Sequence, residues 1–285
     1  MPPDGSLADG LFERDGDCFV ATEYARGPWD RNALHGGPVA ALCATAVHEH
    51  LDATSPPFLA RLTVELFRPV PLGVLSVRTV TRRPGRTVTW IDVTVVDGDE
   101  REVAAAHALC THHLDPPLPI GPHGEPSVPV LDHPDSLRND QIGNGVDIGF
   151  WSANDFRLAA GTWLTAGPGA AWLRLRVPVI VGEVPTPFAR LAAAADFGSG
   201  LGNAVRETTS STINAEITVH AHRVVEGDWV GLESMSWAHA VGNGMCETRL
   251  FDTRGPVGRA VQALVVRDFN PFPSPPPSTD GATTG

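Results

Sequence analysis

Lysine is missing from this chain of 285 residues, so all 21 of its basic residues are arginines. Aspartate and glutamate together number 33, and the formal net charge is −12. Because proteins that bind the phosphate backbone of nucleic acids need a surplus of positive charge, this balance argues against a nucleic-acid-binding protein. The sequence has one local cluster of basic residues: Arg78, Arg82, Arg83 and Arg86. This cluster is interpreted either as a phosphate site or as a solvated hairpin turn.

Cysteine is also scarce, and the four cysteines are far apart with no C-x-x-C pair, which excludes a zinc or redox motif of that type: Cys18, Cys43, Cys110 and Cys246. The first residues contain neither a basic region nor an apolar run, so we predict no signal peptide. No stretch reaches the roughly 20 apolar residues that a membrane helix needs. We therefore expect a cytoplasmic protein with reduced thiols and no membrane insertion.

Several sequence motifs of cofactor binding and nucleophilic catalysis are missing as well. The sequence has no Gly-rich phosphate loop, no G-x-S-x-G elbow and no Rossmann fingerprint. The eleven histidines are dispersed, and the three close pairs, His48/His50, His112/His113 and His220/His222, have no third ligand at metal spacing. We therefore expect neither a metal nor a cofactor.

What the chain does contain is an internal repeat. Aligning Arg68 with Arg223 gives an offset of 223 − 68 = 155. The same offset brings together three further matches: Leu62-Thr63-Val64 with Ile217-Thr218-Val219, Asp97 with Asp252, and His107 with Gln262. A sequence that repeats itself at about half its length indicates two copies of one structural unit packed together.

Each copy is predicted to be one helix followed by antiparallel strands. Pro38 and Pro187 stand where a proline favours the start of a helix. The segments after each helix alternate apolar and polar residues with turn residues between them, which predicts strands. We expect an α+β fold in which two curved antiparallel sheets, each wrapped around its helix, merge into one continuous sheet, since merging removes an exposed edge from each.

The predicted boundaries follow from composition. Residues 1–113 form the N-terminal unit, 114–145 a proline-rich linker, and 146–268 the C-terminal unit. Residues 269–285 are rich in Pro, Ser, Thr and Gly and are expected to form a disordered tail.

Three motifs, in order, carry a resemblance to a known family: Trp29 with His35-Gly36-Gly37; His220-Ala221-His222-Arg223 with Gly227-Asp228-Trp229-Val230; and Leu250-Phe251-Asp252 with Gly258-Arg259-Ala260-Val261-Gln262. Together they resemble the double-hotdog acyl-CoA thioesterases of the acyl-CoA thioesterase II type, over residues 10–267. The resemblance implies a double-hotdog fold and the hydrolysis of a fatty acyl-CoA to free acid and CoA.

The resemblance also implies a site. The family holds a water molecule with an Asp, a Thr or Ser, and a Gln, and Asp196 and Gln262 match the Asp and the Gln. The hydroxyl position is occupied here by Asn214, whose amide can also hydrogen-bond water. Alternative sources of a hydroxyl are Ser211, Thr212 and Thr218. A substrate-binding role is expected for His35, Gly36 and Gly37, because N–H groups at a helix start can stabilise an oxyanion.

The repeat offers an independent test of this site. Subtracting 155 takes Asp196 to Ala41, Asn214 to Leu59 and Gln262 to His107. Two of the three counterparts are apolar, which is the pattern expected for one functional site per chain.

Two other functions remain open. Asp30 and His35 have the Asp-x4-His spacing of hotdog enoyl-CoA hydratases, although His35-Gly36-Gly37-Pro38 departs from the His-x-Asp-Pro of those enzymes. Alternatively, because Asn214 replaces a hydroxyl residue, the protein binds acyl-CoA or a lipid without turnover. In either case the expected partner is an acyl-CoA. Acyl chain length and assembly into a homo-oligomer are left open.

Overall fold

In the computed structural model, the strands of the described residues form one antiparallel sheet of twelve strands. The structure describes residues 10–51, 56–114, 131–138, 148–163, 165–205 and 210–268. The strands of the first unit are β1 (Phe12–Asp15), β2 (Cys18–Ala21), β3 (Phe58–Leu66), β4 (Val74–Arg83), β5 (Val88–Asp97) and β6 (Glu102–Thr111). Those of the second are β7 (Asn154–Ala160), β8 (Gly169–Leu175), β9 (Ser210–Ala221), β10 (Trp229–Ala238), β11 (Asn243–Asp252) and β12 (Gly255–Asp268).

The strand order is symmetric about its centre: β1-β2-β4-β5-β6-β3-β9-β12-β11-β10-β8-β7. At the centre, β3 and β9 pair antiparallel with Thr63 opposite Thr218, and 218 − 63 = 155, the offset of the repeat. Thr218 Oγ1 donates a hydrogen bond to Thr63 Oγ1 at 3.0 Å. An approximate two-fold axis therefore passes between these two threonines, and the predicted merger of two sheets into one is confirmed.

In the described part of the chain, three α-helices lie on one face of this sheet: α1 (Gly36–His50), α2 (Pro187–Ala195) and α3 (Gly198–Leu201). Helix α1 is buried on all sides from Gly37 to Val47 rather than along a single stripe, because it lies between its own strands and α2. It begins two residues before Pro38. Pro187 does begin α2, whose N-cap Thr186 accepts a hydrogen bond from the Ala189 N–H at 3.1 Å.

The two long helices run antiparallel to each other. The Gly37 N–H at the start of α1 meets Asp196 at the end of α2. At the other end, Val47 of α1 and Pro187 of α2 line one cavity. Each unit therefore places the start of its helix against the end of the other unit's helix.

One equivalence predicted from the repeat is wrong by a residue. Gln262 lies opposite Cys246 in the β11–β12 pair, and the counterpart of Cys246 at −155, Ile91, lies opposite Ala108 in the β5–β6 pair. The structural counterpart of Gln262 is therefore Ala108 rather than His107. The turn between the two strands is one residue shorter in the second unit, so the offset falls to 262 − 108 = 154 in the last strand.

The central strands share an irregularity that matters for the site. A bulge leaves Ala215 unpaired in β9, between Glu216 and Asn214, and a matching bulge leaves Ala60 unpaired in β3. Because side chains alternate between the two faces of a strand, one extra residue turns the following side chains to the opposite face. The bulge is what directs Asn214 toward the helices. The same register confirms the predicted equivalence of Asn214 with Leu59 in the first unit.

The predicted linker is described only over 131–138, where a short 3-10 helix covers Pro134–Ser136. The indole N–H of Trp172 donates to the Asp132 carbonyl at 2.8 Å and ties this segment to β8. The rest of the linker, apart from Leu114, and the predicted tail lie outside the described residues. Among the helices that the structure describes, none has both the length and the apolar character of a membrane span.

Candidate active site

Asp196 is the carboxylate around which the predicted site residues gather. It caps the C-terminus of α2 and is only 2% exposed. Its Oδ2 accepts the Gly37 N–H at 2.5 Å and contacts His35 Nδ1, while its Oδ1 accepts Asn214 Nδ2 at 2.6 Å. The carboxylate therefore joins the start of α1, the end of α2 and the central strand β9.

These contacts decide the charge of the Asp196 carboxyl. Burial by itself opposes ionisation, but the imidazole of His35, the amide of Asn214 and the Gly37 N–H outweigh it and lower the pKa of the carboxyl below its ordinary value. The start of α1 adds a favourable helix dipole. Asp196 is consequently a carboxylate at neutral pH and can accept a proton.

The two glycines before Pro38 are required by close packing. A Cβ on Gly36 would lie 2.8 Å from Asp196 Oδ1 and 3.1 Å from Oδ2, and one on Gly37 would lie 2.6 Å from the Ala193 carbonyl oxygen. Gly36 therefore makes room for the carboxylate and Gly37 for helix α2, and the substrate-binding role expected for both glycines stays a prediction.

Asn214 occupies the place where the resemblance implies a hydroxyl. Its Oδ1 accepts a hydrogen bond from Ser199 Oγ at 2.8 Å, which orients its amide nitrogen toward Asp196. Ser199 lies on α3 and is buried. Of the alternative hydroxyls, Thr218 bonds to Thr63 and Glu216. Ser199 was not predicted as a site residue, because Gly198-Ser199-Gly200 is typical of a helix end in the sequence, whereas the structure forms the short helix α3 there.

Gln262 lies on β12, in contact with the backbone at the end of α2, and is fully buried. Its Nε2 donates to the backbone carbonyl of Asp196 at 3.2 Å, whereas its Oε1 is buried without a hydrogen-bond partner. A glycine also packs closely against this side chain, since a Cβ on Gly198 would lie 3.1 Å from Gln262 Oε1. A buried unpaired acceptor is costly, so this oxygen is a place for a polar ligand.

Two further hydroxyls lie close to this position and were not predicted. Thr248 Oγ1 and Ser234 Oγ are 2.9 Å apart, and both residues are buried. The Gly198 Cβ position that faces Gln262 also faces the Thr248 hydroxyl. Their inward position on β10 and β11 could have been found from the alternation of those strands.

The ring of His35 lies among aromatic side chains. Its centroid is 5.2 Å from Phe150, 5.2 Å from Phe197 and 6.5 Å from Trp151. Phe150 and Phe197 stack on each other with centroids 5.0 Å apart. These rings keep the carboxylate in an apolar surrounding, where its hydrogen bonds are stronger than in water.

The pair Asp30 and His35, expected for a hydratase, is not formed. Asp30 Oδ1 accepts the Asn32 N–H at 2.8 Å in an exposed turn, while His35 contacts Asp196. The Asp-x4-His spacing therefore does not bring the two side chains together, because Asp30 is used to form a turn.

Other candidate sites have structural explanations. In the arginine cluster, Arg78 pairs with Glu100 at 3.2 Å and Arg82 with Asp92, and both arginines are well exposed, which fits a solvated hairpin. Within the described ranges, no group of three or more His, Cys, Asp or Glu side chains is arranged to hold a metal ion.

Solved structures with the same architecture extend over nearly the whole chain. An acyl-CoA thioesterase II TesB2 from Mycobacterium marinum is 16% identical, with a TM-score of 0.64 over 93% of this chain and 98% of that one. A protein of unknown function with a hot dog fold from Alicyclobacillus acidocaldarius is 16% identical, with a TM-score of 0.70 over 94% and 99%. At these identities the likeness shows the fold, a double hotdog.

Family comparison goes further than the fold. No curated protein matches significantly. The family model of the acyl-CoA thioesterase N-terminal domain matches residues 25–113, and that of the C-terminal domain matches residues 128–266. The two matches take in both units, including His35 and the strand of Gln262. The chain therefore belongs to the acyl-CoA thioesterase family, whose members are thioester hydrolases.

Proposed function

We propose that this protein hydrolyses a fatty acyl-CoA to the free acid and CoA at the site built on Asp196. The observation that supports this most is a buried carboxylate, held ionised by three donors, on the residue whose backbone carbonyl accepts a hydrogen bond from Gln262 Nε2. The Oε1 of the same Gln262 amide is buried and unpaired. A water molecule that donates one proton to each of these acceptors has its lone pair directed away from both, toward a substrate.

The chemistry needs few groups, since a thioester carbonyl is already electrophilic. The water oxygen attacks the carbonyl carbon while Asp196 takes one of its protons as general base. The oxyanion that forms lies at the start of α1, where the helix dipole stabilises negative charge, since the Gly37 N–H already binds Asp196 and Pro38 has no N–H. When the intermediate collapses, the C–S bond breaks and the proton passes from Asp196 to the CoA thiolate, which leaves as the thiol.

The remaining residues position the carboxylate. Asn214, oriented by Ser199, fixes Oδ1, while His35 and the Gly37 N–H fix Oδ2. In this proposal Asn214 replaces the hydroxyl residue of the family by holding the base instead of the water. His35 also lines the thioester pocket, with the rings of Phe150 and Phe197 beside it.

Release of free thiol from acyl-CoA substrates tests the proposal. Asp196→Asn keeps the shape of the side chain but removes the base, and we expect kcat to fall by about 100-fold or more, the usual contribution of general base catalysis. Asp30→Asn is the matched control, because it changes an exposed aspartate that only caps a turn. Equal thiol release by both variants would refute the assignment of the base.

The hydratase alternative has a separate readout. Hydration of crotonyl-CoA by the wild-type protein, together with a loss of this activity in Asp30→Asn, would support it. Contact of His35 with Asp196 instead of Asp30 favours hydrolysis. The non-catalytic alternative is disfavoured by membership in a family of enzymes.

A further inference from the structure

We propose that the two-fold counterpart of the Asp196 site is a second, non-hydrolytic site that binds the alkyl chain of a fatty acid. A cavity of about 220 Å³ lies there, between the second half of α1 and the start of α2. It is a different place from the Asp196 site, since Gly37 and Val47 are about 15 Å apart along α1 at 1.5 Å per residue.

The pseudosymmetry of the fold identifies this cavity. Asn214 of the Asp196 site corresponds to Leu59, and Leu59 lines the cavity. The start of α1 corresponds to the start of α2, and Thr186 and Pro187 line the cavity. Val70, whose carbonyl accepts the Leu34 N–H beside the Asp196 site, corresponds at +155 to Val225, another lining residue.

The counterpart has lost the groups that carry out hydrolysis. Leu59 replaces the amide of Asn214, and Ala108 replaces Gln262 on the equivalent strand. None of the described residues that line the cavity is an Asp, Glu, Asn or Gln. The start of α2 also differs from that of α1, because its first residue, Pro187, has no N–H and the Ala189 N–H is already bonded to the Thr186 hydroxyl oxygen.

The lining fits an alkyl chain. It is formed mainly by aliphatic and aromatic side chains, such as Val47, Leu59, Phe188 and Leu191. An apolar cavity of about 150 Å³ in another protein stays dry and binds benzene, so this larger cavity has room for a longer hydrocarbon.

The rim of the cavity selects the end group of the ligand. Two exposed imidazoles, of His48 and His113, lie on the lining and can donate hydrogen bonds to a carboxylate. Arg223 is also there, but its guanidinium is held by Asp252, with Nη2 donating to Oδ1 at 2.7 Å. A fatty acid, whose chain enters the cavity and whose carboxylate meets the two histidines, matches this arrangement. The choice of ligand rests on the proposed function, of which a fatty acid is the product.

Binding of dodecanoate, measured by titration calorimetry, tests the proposal. Val224 lines the cavity but is 50% exposed, so Val224→Trp fills the entrance with little risk to folding. Val184→Trp is the matched control, because Val184 is 90% exposed and does not line the cavity. We expect Val224→Trp to weaken dodecanoate binding at least about tenfold, or about 1.4 kcal/mol, and Val184→Trp to leave it unchanged.

Three variants separate this site from the catalytic one. Asp196→Asn should still bind dodecanoate, and Val224→Trp should still release thiol from butyryl-CoA at the wild-type rate. His48→Ala should weaken the binding of dodecanoate but not of dodecanol. Equal binding by the two tryptophan variants, loss of binding in Asp196→Asn, or no binding by the wild type would each overturn the proposal. Failure of the proposed hydrolysis would be seen separately, as absent thiol release in the wild type.

Discussion

Replacing Gly36 by alanine perturbs the position of the Asp196 carboxylate and little else. The new Cβ would lie 2.8 Å from Oδ1 and 3.1 Å from Oδ2. The first separation is shorter than a Cβ contact can be, and the atom it meets belongs to a carboxylate held by His35, Gly37 and Asn214. The carboxylate must therefore move. Gly36 is the first residue of α1, where alanine is the better helix former by up to about 1 kcal/mol, so the helix itself is not weakened.

The expected size of the effect follows from this displacement. Overpacking of a tight site costs about 1–3 kcal/mol of stability, partly offset by the gain in helix propensity. Catalysis is more sensitive, because a displacement of about 1 Å can cost about 100-fold in rate. A 100-fold loss corresponds to about 2.7 kcal/mol in activation free energy. We therefore expect kcat/KM to fall by about 100-fold while the protein stays folded.

Gly200→Ala provides the control, because a Cβ at this nearby helical glycine would meet nothing within 4 Å. Thiol release and thermal unfolding should be measured for both variants. Gly200→Ala should retain wild-type activity. If Gly36→Ala keeps activity within a few-fold of Gly200→Ala while Asp196→Asn is inactive, the carboxylate does not need the position described above, and the reasoning fails.

Three further predictions concern single groups. Gly198→Ala should lower kcat more than it changes KM, since the added Cβ would clash with Thr248 Oγ1 and stand 3.1 Å from Gln262 Oε1; steady-state thiol release checks this. The pKa of Asp196 is lower in the fold than its unfolded value of about 3.9, so its ionised form adds stability that is full above about pH 4 and lost as pH falls through the folded pKa. Below about pH 4, the free energy of unfolding measured with urea should therefore fall more steeply for the wild type than for Asp196→Asn. Burial raises the pKa of the Cys43 thiol to about 12, whereas Cys18 is partly exposed, so Cys18 should react first with a disulfide reagent in the native protein.

The fold could be predicted from the sequence because the repeat appears as a fixed offset between two segments, each with its own local strand pattern. Strand β10 begins at Trp229 and β4 at Val74, and 229 − 74 = 155, as the alignment requires. The offset failed where loops differ in length. The shorter turn before β12 moved the counterpart of Gln262 from His107 to Ala108, and α2 starts 187 − 36 = 151 residues after α1 rather than 155. The predicted Asp196–Ala41 equivalence therefore stays a prediction.

Prediction of the site was less complete. Asp196, Asn214 and Gln262 were named from the resemblance, and the structure brings them together with His35, Gly36 and Gly37. Their catalytic and substrate-binding roles stay predictions. The contact of His35 with Asp196 could not be predicted, because the two residues are 161 positions apart and meet only when the two helices pack antiparallel.

By itself, the sequence determined the repeat, the helices that begin near proline, the alternation of the strands and the family resemblance, since each depends on residues close together in the chain or on a fixed offset. Tertiary structure alone decided which aspartate pairs with His35, which face Asn214 occupies, and what Gly36 makes room for. Those answers depend on a bulge at Ala215 and on the antiparallel contact of α1 with α2. Neither leaves a periodic signal in the sequence, because each involves residues that meet only in the folded chain.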